Sequence, residues 1–208
     1  MKPIFLILEG IDGCGKGEQV KLLQNFFYDK NKRIDVFTTR EPTYGQYGMA
    51  IRHILKTEED PKSSADELLN LFTKDRAEHI STIKCILNNV SGELCPVVIC
   101  DRYYHSTYAF QQTQGVPFER IHETQKNFLK PTITLLLDIE ARAALERISN
   151  GRRGIEKFEK LDFMTELRQN YLKLKSQLDE DIVIIDAAKS IPEVFQQILE
   201  VLMERGLV

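Results

Sequence analysis

The sequence has no tryptophan, four histidines and four cysteines in 208 residues, and it lacks any long apolar run. Each shortage excludes something. Cys14, Cys85, Cys95 and Cys100 form no C-x-x-C pair and have no histidine at zinc-ligand spacing, so reduced thiols are expected rather than a zinc site or a disulfide scaffold. The histidines, at 53, 79, 105 and 122, show no metal-ligand spacing of their own. Only five apolar residues stand in a row before Glu9, too few for a signal-peptide core or a membrane span. A cytoplasmic protein with no membrane partner is the expectation. A basic excess is also missing: 28 Lys and Arg against 31 Asp and Glu give a net charge of −3, which argues against a broad nucleic-acid surface. A hydrophobic fraction of 42% and a charged fraction of 28% are ordinary for a globular chain, and the length fits one domain over residues 1–208.

What the chain does contain is a set of short, largely apolar runs at 4–8, 34–38, 97–100, 133–137 and 182–185, separated by stretches of helical spacing. Apolar runs of strand length imply strands buried on both faces. Their alternation with amphipathic helices predicts an α/β fold with a parallel sheet covered on both sides. Ligands of such sheets collect at the carboxyl ends of the strands. The unusual residues stand there: GIDGCGKG after the first run, TREP (39–42) after the second and DRYYHSTYAFQ (101–111) after the third.

Gly10, Gly15 and Lys16 match the G-x-x-x-x-G-K-[ST] phosphate-binding loop, between a predicted strand and a predicted helix. Glycines let successive N–H groups face phosphate oxygens, and Lys16 reaches the terminal phosphates. The expected nucleotide loop is therefore Gly10, Ile11, Asp12, Gly13, Cys14, Gly15, Lys16 and Gly17. Gly17 replaces the hydroxyl that normally meets the nucleotide's magnesium, and Glu18 follows it. Asp101, at the end of a buried run, suits a carboxylate that manages magnesium through water, and Arg102 suits a phosphate fork. A structural Asp-Arg pair capping the sheet fits the same two residues. Phe72 and Arg76 are four apart on a helical stretch and so share a face, which suits either core packing or a grip on a base. Arg147, Arg152, Arg153 and Lys157 make a basic cluster within residues 147–160, a solvated face or a closing lid.

EGIDGCGK (9–16), TREP, LLNLFTKDRAEH (68–79) and DRYYHSTYAFQ, in this order, resemble the thymidylate kinase family. The later YLKLKSQ (171–177) and IVIIDAAKSIPEVFQQI (182–198) extend the resemblance over essentially the whole chain. It implies a P-loop kinase fold with a short lid and transfer of the terminal phosphoryl group of ATP to dTMP with Mg2+. The implied binders of dTMP are Asp12 near the sugar hydroxyl, Arg102, Arg40 and Arg52 on the phosphate, Phe72 on the base, Arg76 and Thr107 on its polar edge, and Phe110 against the deoxyribose. Lys16, Asp12, Arg102 and the lid's Arg152 and Arg153 are the implied catalytic group, and a homodimer is the implied assembly.

Three departures accompany the resemblance: Gly17-Glu18 where the family has hydroxyls, Lys157 where its lid ends in a D-R-F-E-like string, and Thr43-Tyr44 where it has paired glycines. GKG is similar to adenylate kinases, so a related kinase for dUMP, AMP or a deoxynucleoside is an alternative. A nucleotide-binding protein with reduced catalysis is another, motivated by the missing hydroxyl at Gly17 and by Glu18, whose carboxylate would repel phosphate if it faces inward.

Overall fold

A computed structural model describes residues 2–31, 33–57, 62–89, 94–151 and 161–208. Five parallel strands, β1 (Ile4–Glu9), β2 (Ile34–Arg40), β3 (Cys95–Asp101), β4 (Ile133–Asp138) and β5 (Ile182–Asp186), form one sheet in the order β2-β3-β1-β4-β5. All five predicted strands are present, each extended by one to three residues. The helices are α1 (Lys16–Lys30), α2 (Gln46–Thr57), α3 (Ala65–Asn88), α4 (Tyr104–Thr113), α5 (Phe118–Gln125), α6 (Ala141–Gly151), α7 (Leu161–Gln177) and α8 (Ile191–Glu204). Among the described residues, no helix is long and apolar enough to cross a membrane.

The expectation of strands buried on both faces holds for the three central ones. Every residue of β1 is buried, and β3 and β4 are buried up to their last residue. The outer strands differ, because each has a neighbour on one side only: Asp35 and Arg40 of β2 and Ile184 of β5 are exposed. In-register pairing sets the site, since Leu8 of β1 stands beside Asp101 of β3, and Arg40 of β2 beside Asp101 from the other side. Three loops thus leave the sheet at one edge, within reach of one another.

The glycines of the first loop answer to space as well as to conformation. A Cβ on Gly10 would lie 2.4 Å from the Leu137 carbonyl oxygen, and one on Gly13 would lie 2.5 Å from that of Ala144. The loop is wedged between the end of β4 and α6, and both glycines have positive φ. Nothing lies within 4 Å of a Cβ on Gly17, at the start of α1. Gly13→Ala should therefore cost about 1–3 kcal/mol of stability in chemical denaturation, whereas Gly17→Ala should be neutral or add up to about 1 kcal/mol. Equal effects of the two would contradict this account of the loop.

Candidate active site

Gly15, with φ near 96°, precedes α1 and supplies no side-chain cap, so the first N–H groups of the helix are left for another acceptor. Lys16 is buried and its Nζ donates to the carbonyls of Gly10 (2.9 Å) and Ile11 (3.0 Å), which draws the ammonium over the loop. Glu18, whose direction decides whether it would repel phosphate, lies on the exposed side of α1. Its carboxylate pairs with Lys21 at 2.9 Å. Gly17 lines an open depression with Thr39, Arg40, Tyr44 and Asp101.

Asp101 faces that depression with two unequal oxygens. Oδ2 lies 3.7 Å from an Arg40 nitrogen, while Oδ1 is buried with no hydrogen-bond partner among the described residues. A buried carboxylate oxygen without a donor is costly. It fits a ligand that brings its own donors, such as the water shell of a magnesium ion on a nucleotide. The described residues include no group of three or more His, Cys, Asp or Glu that could hold a metal ion.

Arg102 has φ of 71°, the one non-glycine described residue in the left-handed region. Its N–H donates to the Leu8 carbonyl at 3.0 Å. Its Nη1 donates to the Gly10 carbonyl (3.1 Å), the Ser106 hydroxyl (3.2 Å) and the Tyr171 hydroxyl (2.9 Å), and its Nη2 to Asp12 Oδ1 (2.7 Å). Arg102 and Asp12, predicted from separate motifs, are thus one ion pair that joins the loops after β1 and β3. Burial first, and then the Glu9 charge, push the Tyr171 hydroxyl well above the ordinary tyrosine range, so it keeps its proton.

Phe72 of α3, Phe110 of α4 and Phe163 of α7 meet edge to face, at centroid distances of 6.2 and 5.6 Å, and line a cleft with Asp12, Arg76, Arg102 and Thr107. Arg76 is 1% exposed and fixed on all sides. Its Nε (2.9 Å) and Nη2 (2.6 Å) donate to Glu41 Oε2, Nη2 also donates to Thr107 Oγ1 (3.1 Å), and Nη1 donates to Gln125 Oε1. The Tyr103 and Phe128 rings lie 5.2 and 5.6 Å from the guanidinium carbon. Of five N–H donors, one on Nη1 is without a partner among the described residues. The other Glu41 oxygen meets His79 Nδ1 at 3.0 Å, whose Nε2 meets Thr39 at 2.7 Å.

The structure brings Asp12, Phe72, Arg76, Arg102, Thr107 and Phe110 together in that one cleft. Arg40 and Arg52 are not among its lining residues. Arg40 stands in the adjoining depression, and Arg52 donates to the Pro42 carbonyl with its guanidinium 4.9 Å from the Tyr44 ring. Thr43, which stands where the resembled family has paired glycines, is pinned by Asp75 of α3: its N–H donates at 2.8 Å and its hydroxyl at 2.5 Å. Arg152, Arg153 and Lys157 lie outside the described residues. Residues 147–151 belong to α6, and Arg147 donates to the carbonyls of Ala187 and Ala188 at 2.9 and 3.2 Å. The sequence reading missed Glu9, Ser106, Gln125, Phe163 and Tyr171 as members of the site. Ser106 and Tyr171 stood inside motifs that were read for other residues; Gln125 and Phe163 carry no sequence signal at all.

Comparison with known proteins gives a consistent result. The model of the family described as thymidylate kinase matches residues 8–198. The chain is 36% identical over 203 residues to a probable thymidylate kinase of Pyrococcus horikoshii, covering 96% of this chain and 95% of that protein. It is 33% identical over 208 residues to one of Methanococcus maripaludis (97% and 96% covered) and 35% identical over 203 residues to one of Thermococcus kodakarensis (94% and 95% covered).

The geometry around Gly17 and Glu18 makes a direct prediction. The double variant Gly17→Ser, Glu18→Thr should change stability by no more than about 0.5 kcal/mol, since one position opens on empty space and the other on solvent. A thermal or denaturant midpoint shifted well beyond that would show that one of these positions is packed.

Proposed function

The chain belongs to the thymidylate kinase family, and from that premise we propose that this ATP-dependent nucleoside monophosphate kinase transfers the terminal phosphoryl group of ATP to dTMP, giving dTDP and ADP. ATP lies on Gly10 to Gly17 with Lys16 over its terminal phosphates. The acceptor lies in the cleft, its base against Phe72, its sugar between Phe110 and Asp12, and its phosphate on Arg102. Arg40 and Arg52 complete the phosphate's enclosure when the acceptor is bound.

The observation that carries this reading is the single N–H that Arg76 leaves for a ligand. A buried, permanently charged donor of this kind seeks one carbonyl oxygen, and it repels an amino group in the same place. Thymine offers a carbonyl at the ring position where cytosine carries an amine. Thr107, which accepts from Arg76, keeps its own hydroxyl proton for the same edge.

The acceptor phosphate is already nucleophilic, so catalysis rests on position and on charge stabilisation. Arg102 holds the attacking oxygen in line with the donor because it is tied to the donor's own loop through Gly10 and Asp12. Asp101 would hold magnesium through its water shell, and the ion would supply neutralisation of charge on the donor phosphates. The lid, within residues 147–160, is where Arg152 and Arg153 would meet the transferred group. One catalytic domain, a homodimer and a cytoplasmic setting complete the proposal; family membership supports the assembly, and four free cysteines support a reducing compartment. The reading of a decayed nucleotide binder loses one of its two motives, because Glu18 is exposed and paired with Lys21, and keeps the other, the missing hydroxyl at Gly17.

A coupled assay of ADP release with a panel of nucleoside monophosphates tests the proposal. Turnover should be highest with dTMP, and Phe72→Ala should raise its KM about 5- to 100-fold, the loss of one base-stacking contact of about 1–3 kcal/mol. No turnover with dTMP alongside turnover of AMP or another monophosphate would overturn it in favour of a kinase with a different acceptor.

A further inference from the structure

Glu9 is the last residue of β1, and its side chain is fully buried. A carboxylate there is tolerated only where donors replace water. Four do so. Oε1 accepts from the backbone N–H groups of Tyr103 (2.7 Å) and Ser106 (3.1 Å), in the first turn of α4, where the helix dipole also favours a negative charge. Oε2 accepts from the hydroxyls of Ser106 (2.7 Å) and Tyr171 (3.2 Å).

These four donors converge on Arg102. Tyr103 is its chain neighbour, so the bond to the Tyr103 N–H fixes the peptide that follows the left-handed residue. A non-glycine residue at φ 71° costs about 1–3 kcal/mol and persists only where the surroundings hold it. The hydroxyls of Ser106 and Tyr171 give their protons to Glu9 or to each other, and both accept from Arg102 Nη1. Glu9 therefore secures both the backbone and the guanidinium of one residue, from a position that itself lies outside the acceptor cleft.

We propose that Glu9 is a positioning residue for the acceptor phosphate, acting through Ser106 and Tyr171 to hold Arg102 in the orientation that grips it. This rests on the reading of Arg102 as the acceptor's phosphate ligand. In a Glu9→Gln variant the amide still accepts from Tyr103 and Ser106 N–H, so α4 keeps its cap. Its NH2, however, faces the two hydroxyls and competes with Arg102 for their lone pairs. The fold is retained and the guanidinium is released.

The test compares affinities for dTMP and thymidine by calorimetry on the full chain. They differ only in the phosphate. In the wild type dTMP should bind more tightly than thymidine. Glu9→Gln should weaken dTMP about 5- to 30-fold, the range of one charge-assisted hydrogen bond, and thymidine less than about twofold. In an Arg102→Ala background Glu9→Gln should change dTMP affinity less than about twofold. Tyr171→Phe, which keeps the ring, should show the same selective loss and decides the matter if Glu9→Gln does not fold. Equal weakening of both ligands, or an undiminished loss of dTMP affinity in the Arg102→Ala background, would overturn the inference while leaving the kinase reading intact. A wild type that binds thymidine as tightly as dTMP would overturn both.

Discussion

The site depends on one tie, the guanidinium of Arg102 joined to the Gly10 carbonyl and the Asp12 carboxylate. In the proposed transfer two phosphates must meet in line within a few tenths of an ångström, each on a loop that leaves a different strand. Parallel pairing of β1 with β3 brings those loops to the same edge, but pairing fixes only the strand ends. The cross-loop ion pair removes the remaining freedom. It coincides with a left-handed backbone at Arg102, held by the buried Glu9 carboxylate, the Tyr103 amide and Tyr171.

The acceptor cleft follows a related rule with a different outcome. A guanidinium as buried as that of Arg76 is stable only with its charge compensated and most of its donors satisfied. Glu41 supplies the charge, and Gln125 and Thr107 take further donors. What is left among the described residues, one N–H, is a consequence of that satisfaction and is what the proposed function assigns to the base. Selectivity here is a remainder of folding: the network that makes Arg76 tolerable in the interior also removes its ability to address anything broader than a single acceptor atom.

The metal side of the site is built with less. Gly17 brings no hydroxyl and the space beside it is open, and Asp101 holds one oxygen near Arg40 and the other without a partner among the described residues, which is why the proposed function leaves the chain's hold on a nucleotide-bound ion to Asp101. A hard cation that keeps most of its water needs little more from the chain. Glu18 is a surface residue in the first turn of α1, where its charge suits the helix dipole.

The sequence by itself determined the five strands and the glycine-lysine loop at 10–17, and it led to the expectation that Asp12, Phe72, Arg76, Arg102, Thr107 and Phe110 share a site; those six line one cleft. Strand periodicity and glycine-lysine spacing are local physics, written in neighbouring residues, and the order of four motifs is readable along the chain. It could not determine that Arg102 and Asp12 form a pair, that Arg76 has a single donor to spare, that Glu18 faces solvent, or that Arg40 and Arg52 stand outside the acceptor cleft. Those facts depend on which side chains from strands 90 residues apart in sequence meet at one sheet edge, as Arg102 and Asp12 do. Glu9 shows the division most clearly. Its sequence position marks the end of a strand, and only the tertiary fold, by setting α4 and α7 against that end, turns a buried acid into the support of a phosphate ligand.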